Sequence, residues 1–225
     1  VNLDGERDPN AEEKDRWEEL LLGLLLALLS KELKRLWPVI LQLGQDFWFE
    51  ERDAWVRELE APLREMAQEA QVSFLAQHPE IGIDVAEANA AAGGWANRYA
   101  YDLVEGLQDT TRRALQQAIG NWLRTPGQSM ESLYAALEPY FGRVRAEMIA
   151  ITEVTRAFAE GERLLGERLQ REGFRLEPVW NTANDERVCS VCAPNHRKRR
   201  SEGWTVDWPP PHPRCRCWIT WVSIR

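Results

Sequence analysis

Between Ala11 and Arg171 apolar residues recur at three- and four-residue steps, the period of helices with one buried face. From Ala11 to Trp37, Trp17, Leu20, Leu21, Leu24, Leu25, Leu28 and Leu36 form a broad apolar stripe. Pro38 cannot donate to the helical ladder, so a kink or restart is expected there. The ten residues before the stripe, VNLDGERDPN, are polar with Gly and Pro and read as a flexible lead. A second helical pattern runs to about Gln77 through Phe47, Trp55, Leu59, Leu63, Met66 and Ala70, with a kink or break expected at Pro62. His78-Pro79 opens a loop, and Asp84 is placed to cap a third helix from Val85 to about Leu107. The small residues from Ala90 to Gly94 suggest close packing of that helix on another. Asp109 is placed to cap a fourth helix, Thr110 to Leu123, and TPGQ (Thr125 to Gln128) reads as a turn. Ser129 starts a short helix to about Leu137, Pro139 interrupts, and a long helix follows from about Tyr140 to Arg171, ended by Gly173.

After Gly173 the period changes. FRLEPVWNT (Phe174 to Thr182) alternates like a strand, and CWITWVSI (Cys217 to Ile224) is rich in β-branched and aromatic residues. The two strands are expected to pair and so to close the cysteine-rich segment between them. The fold class is therefore mainly α with a small C-terminal β-containing, cysteine-rich knuckle module, an α+β arrangement. Residues 1–10 form the lead, 11–125 a helical docking region, and 126–225 a C-terminal domain with its knuckle at 174–225.

Composition refines this picture in two places. The run LLLGLLLALL (Leu20 to Leu29) is ten residues long, with Glu19 before it and Lys31 just beyond it, whereas a membrane span needs about 20 apolar residues. It reads as a buried helix or a helix–helix contact, and Leu20, Leu21, Leu24, Leu25 and Leu28 are the first choice for docking a partner. No spanning segment and no signal peptide are expected. The net charge of −8 is unevenly spread: residues 1–130 carry 13 basic and 23 acidic side chains, residues 131–225 carry 15 and 13. The helical part should repel DNA, leaving the C-terminal end as the one region suited to it. Arg197, Lys198, Arg199 and Arg200 are the densest positive charge. They suit a solvated loop, contact with DNA phosphate, or contact with an acidic partner.

All four cysteines fall near the C-terminus, so they do not form a chain-wide disulfide framework. Cys189-x2-Cys192 can aim two thiolates at one ion, and His212-x2-Cys215 followed by Cys217 supplies the other arm. Pairs of soft ligands at this separation are a zinc pattern. Five donors face four positions. Cys189, Cys192, His212 and Cys215 keep the x2 spacing on both arms. The four cysteines alone make the second set, because i, i+2 side chains share a face in a strand. Either full set leaves no coordination position for water, which points to Zn2+ as a structural staple and not a catalyst. The other readings of the cysteines are disulfides, a catalytic metal or free thiols. His78 and His196 lack partner spacing. Asn184-Asp185 is ordinary turn chemistry. Glu153 with Arg156 is an i, i+3 pair, or, if buried, an anchor to Arg187 or Arg216. No phosphate loop, nucleophile elbow or His-Glu-x-x-His helix is present, so no enzyme is expected.

Four pieces occur in order: ITEVTRAFAEGE (Ile151 to Glu162), VWNTANDERVCSVC (Val179 to Cys192), a glycine-containing spacer and PPPHPRCRCWI (Pro209 to Ile219). As an ordered set over about residues 110–225, they resemble the C-terminal domain of the phage Mu F-like family, the minor head or head-morphogenesis proteins of tailed phages. Thr152 and Glu153 resemble that family's Thr-Glu pair. Trp180, Asp185, Arg187, Cys189 and Cys192 resemble its knuckle, and His212, Pro213, Cys215, Arg216 and Cys217 its close. The spacer APNHRKRRSEG departs from the family's apolar residue and glycine. The resemblance implies a minor capsid protein inside the phage head, associated with the portal vertex and acting in head assembly. In some members DNA packaging or delivery is affected. Portal protein, capsid subunits and packaged double-stranded DNA are the implied partners, with the virion as location and the host cytoplasm during assembly. The alternatives are a zinc-stapled nucleic-acid-binding module and a metal-dependent hydrolase or toxin-like enzyme.

Overall fold

The computed structural model describes residues 7–42, 47, 51–83, 85–183 and 188–224. Among them are five helices and one small sheet: α1 (Ala11–Leu36), α2 (Arg52–Gln77), α3 (Val85–Arg124), α4 (Met130–Leu137), α5 (Arg143–Arg171), β1 (Leu176–Asn181) and β2 (Trp218–Ser223). α1 starts with Glu12 and Glu13 and ends with Lys34 and Arg35, the arrangement that complements the helix dipole. Pro38 then terminates it in a 3₁₀ turn, Trp37–Val39. Ser129 caps α4 by accepting from the Ser132 amide at 3.2 Å. Two helix expectations need correction. α2 runs through Pro62 without a break. The third and fourth predicted helices are one 40-residue helix. Asp109 does not cap; it pairs with Arg112 at 2.8 Å, while Thr110 and Thr111 donate back to the carbonyls of Gly106 and Leu107 at 2.9 Å each. These local bonds let cap-type residues sit inside a helix that no proline interrupts. Asp84, the expected cap of that helix, lies outside the described residues.

α5 is the axis of the fold, packed against α1, α2 and both strands. Two of its glycines explain how close the neighbours come. A Cβ on Gly161 would lie 2.2 Å from the Ala67 carbonyl oxygen of α2, and one on Gly166 would lie 2.2 Å from the Trp221 ring of β2. On α3, Ala88, Ala92, Ala96 and Ala100 form a buried stripe of small side chains at four-residue spacing, and α3 packs against α2. Gly173, at φ +96°, turns the chain out of α5 into β1. β1 and β2 pair as expected, antiparallel, with Trp180 opposite Ile219 and Val179 opposite Thr220.

Two apolar clusters result. One joins α1–α5, from Leu21 and Leu25 through Leu59, Val104 and Leu133 to Phe158. The other joins Phe74 of α2 and Leu165 and Leu169 of α5 to Leu176, Trp180, Ile219, Trp221 and three cysteines. The C-terminal module thus shares its core with the helices. The lead is corrected at its end: Asn10 is buried and donates to Glu162 at 3.0 Å, and Lys14 holds Asp8 at 2.6 Å. The docking stripe is also corrected. Leu21, Leu25 and Leu28 are consumed by the internal core, Leu24 is half-buried, and Leu20 remains 57% exposed. A helix packed on a core keeps its stripe for that core, so only the outer edge can meet a partner. Among the described residues no helix is long and apolar enough to cross a membrane.

Candidate metal centre

Past β1 the chain makes a tight turn in which the Cys192 and Ala193 amides donate to the Cys189 carbonyl at 3.1 and 2.9 Å. This turn brings the two sulfurs to one side. The spacer then returns along β1: Trp180 donates to the Lys198 carbonyl at 3.0 Å and accepts from the Arg197 amide at 2.7 Å. Asn195, fully buried, accepts from the Thr205 amide at 2.8 Å and so ties the two ends of the spacer together. A row of indoles, Trp180, Trp204, Trp208 and Trp221, fills the space beneath, with successive ring centres 5.2, 5.3 and 6.4 Å apart. The departing spacer sequence therefore still builds a fixed scaffold, through Asn195 and indoles in place of an apolar residue and glycine.

The five predicted donors come together as two overlapping groups of three, and no four of them all lie within 4.8 Å of one another. His212 Nε2 lies 3.0 Å from Cys189 Sγ and 3.3 Å from Cys192 Sγ, and Cys192 Sγ lies 3.9 Å from Cys215 Sγ. The donors fall into two groups whose atoms lie within 4.8 Å of one another: Cys189, Cys192 and His212, and Cys192, Cys215 and Cys217. Cys192 belongs to both. Bonds of about 2.3 Å to sulfur and 2.0 Å to nitrogen at a tetrahedral ion give edges of about 3.5–3.8 Å, close to these separations. Soft thiol and imidazole donors suit zinc and other thiophilic ions better than magnesium or calcium. The four cysteines are free thiols, not disulfides.

The imidazole is prepared for this role. His212 Nδ1 lies 2.8 Å from the Pro213 carbonyl, which can only accept, so Nδ1 carries the proton and Nε2 presents a lone pair to the sulfurs. The electrostatics of the cluster set its thiols apart. Burial, then the neighbouring Cys215, push the Cys192 thiol up to about 12. A hydrogen bond from Cys217 outweighs burial at Cys215 and brings it down to about 6. Cys217 is raised, first by that same bond and then by burial. Burial alone would raise Cys189, but the Cys192 and Val191 amides bring it below the usual thiol range. Burial alone would lower His212, yet the Pro213 carbonyl and the thiols raise it. Cys192 and Cys217 are thus held back from ionising beside the other two thiols, a penalty that a bound divalent cation would relieve.

The helical body grips the second arm at three successive residues. The Arg214 amide donates to Thr152 Oγ1 at 2.9 Å, and Thr155 Oγ1 donates to the Cys215 carbonyl at 2.8 Å. Arg216 forms a bidentate pair with Glu18 of α1, both bonds 2.7 Å. Thr155 and Glu18 were not singled out from sequence; the i, i+3 spacing of Thr155 from Thr152 on one helix face was the available signal. Glu153 is buried, but it does not reach Arg216. It accepts from the Tyr99 hydroxyl at 2.7 Å and from Arg156 at 3.3 Å, because its position on α5 faces α3. Asp185 and Arg187 lie outside the described residues. His196 is absent from both donor groups, and its Nδ1 accepts from the Thr182 amide at 3.1 Å. His78 packs on Phe74 and pairs with Glu80.

The basic run is partly neutralised. Arg199 lies 3.9 Å from the Glu177 carboxylate, and Arg200 bonds Asp207 at 2.7 Å while stacking over Trp204 and Trp208. A cavity of about 320 Å³ opens beside the cluster, lined by Ile151, Val188, Cys189, His212 and Cys217 among others. Comparison of the chain with protein-family models, with curated proteins and with solved structures finds no match.

Proposed function

We propose that the C-terminal module is a zinc-stapled interaction module and that Cys189, Cys192, His212 and Cys215 hold the ion, with Cys217 the spare thiol. The observation that carries this reading is His212, whose Nδ1–H is committed to a backbone carbonyl and whose Nε2 sits against two sulfurs. With four protein ligands the ion has no position for water or substrate, so it acts as a cross-link and not as a Lewis acid. Its binding free energy, on the order of 10 kcal/mol for structural zinc, becomes folding free energy of the spacer and both arms. We assign the protein no enzymatic activity.

The biological role that fits such a module is assembly. The chain is proposed to be a minor capsid protein of head morphogenesis, inside the phage head and bound at the portal vertex. This reading is supported by the ordered motif set and by the way its pieces meet: the Thr-Glu helix supplies Thr152 to the amide before Cys215, and Trp180 anchors the row of indoles under the knuckle. Contact with packaged DNA is the weaker role, because Arg199 and Arg200 already face Glu177 and Asp207. The test is coexpression with portal protein and, separately, with shell subunits. Copurification with portal is expected, and binding to neither would overturn the assembly role.

A further inference from the structure

We propose that Cys217 is the resolving thiol of an oxidative switch: hydrogen peroxide links Cys217 to Cys192 and expels the metal. The inference rests on the zinc-staple reading above and adds its regulation. Five donors serve four positions, and the spare one is not remote. The Cys217 sulfur lies within 4.8 Å of the sulfurs of both Cys192 and Cys215. Cys192 is the donor common to both groups, beside His212 at 3.3 Å and Cys215 at 3.9 Å. Its capture removes the centre of the ligand set. Cys215 is the poorer partner, because residues i and i+2 of an extended segment lie near the upper Cα separation that a disulfide tolerates. Peroxide can reach Cys192, which is otherwise buried, because the residue lines the cavity of about 320 Å³, as Cys217 does.

The chemistry balances with one peroxide. The Cys192 sulfur attacks a peroxide oxygen, the O–O bond breaks, and the departing hydroxide takes a proton from solvent to become water, giving a sulfenic acid on Cys192. The Cys217 sulfur then attacks the Cys192 sulfur. The S–O bond breaks, and the hydroxide leaves with the Cys217 thiol proton as water. The two sulfurs supply the two electrons, and the products are one disulfide and two waters. Cys189, His212 and Cys215 remain, one ligand short of a closed tetrahedral site.

The test uses the zinc-loaded full chain, titrated with hydrogen peroxide, with zinc release followed by a chromophoric chelator and disulfides mapped by peptide mass spectrometry. Release of about one zinc per Cys192–Cys217 disulfide is expected, with dithiothreitol and zinc restoring the starting state. Cys217→Ser should hold its zinc at least about fivefold longer under the same peroxide, since a sulfenic acid without a resolving partner forms no such bond. Zinc retained in protein carrying the Cys192–Cys217 bond, a disulfide that omits Cys217, or equal release from Cys217→Ser would each overturn the switch. A chain holding no zinc before oxidation would overturn the staple reading instead.

Discussion

Thr155 on α5 donates its hydroxyl proton to the carbonyl of Cys215 across 2.8 Å, both groups being buried. One residue earlier, the Arg214 amide donates to Thr152. The proposed metal ligand Cys215 is thereby held from both sides by one helix face. Replacing Thr155 by Val keeps the shape and removes the donor, leaving a buried carbonyl unpaired at a cost of about 1–3 kcal/mol. Thr155→Val should therefore weaken zinc binding by roughly tenfold, the scale of lost outer-shell contacts. Competition with a chromophoric chelator measures this; unchanged affinity would remove Thr155 from the metal scaffold.

Gly166 and Gly161 are required for packing, not for backbone freedom. Gly166→Ala places a methyl within 2.2 Å of the Trp221 ring, and Gly161→Ala places one within 2.2 Å of the Ala67 carbonyl. Each should destabilise by about 3 kcal/mol or more, since a packed interior must shift. Gly23→Ala on α1 meets nothing within 4 Å and should stabilise by about 0.5–1 kcal/mol. Urea denaturation of the three variants gives the signs directly.

Glu162 is fully buried beside Asn10, Lys14 and Asp8, and burial raises its carboxyl to about 8. A carboxyl with a raised folded value binds its proton more tightly when folded, so its contribution is complete below pH 4.5 and lost as pH rises through about 8. Glu162→Gln should be near neutral at pH 5.5 and should exceed the wild type in stability by roughly 2–4 kcal/mol at pH 9. The difference between the two proteins, measured in urea at each pH, separates this effect from the pH dependence of metal binding. A constant difference would mean that Glu162 does not titrate in this window.

Leu20 and Leu25 lie on one predicted stripe but have opposite fates, 57% and 0% exposed. Leu25→Ala should cost about 2–5 kcal/mol, the usual range for a buried leucine. Leu20→Glu should leave the melting temperature nearly unchanged and, if the outer edge of α1 meets the portal, should abolish copurification. Thermal melts and coexpression read the two halves of this prediction.

Much of this organisation is legible in the residues. The period of three and four marks the helices, the change after Gly173 marks the two strands, and the spacing of Cys189, Cys192, His212, Cys215 and Cys217 marks the cluster. Local signals mislead where tertiary bonds override them. Asp109 and Pro62 look like helix boundaries, yet α3 and α2 run through them because the helices are held by packing along their length. Asn10 belongs to a polar lead, but Glu162, far away in sequence, gives it a buried partner. Glu18 and Thr155 carry no motif of their own and gain their roles only when α1 and α5 are brought beside Arg216 and Cys215.

The measurement that bears most directly on the account is zinc content by plasma emission spectrometry, paired with tryptophan fluorescence before and after chelation. Three of the four indoles beneath the knuckle, Trp180, Trp204 and Trp208, border the segment the metal would hold. The account predicts about one zinc per chain at neutral pH and a large fluorescence change when a chelator removes it, reversed by adding zinc. A metal-free chain whose module keeps the same fluorescence and the same resistance to proteolysis in chelator would contradict it.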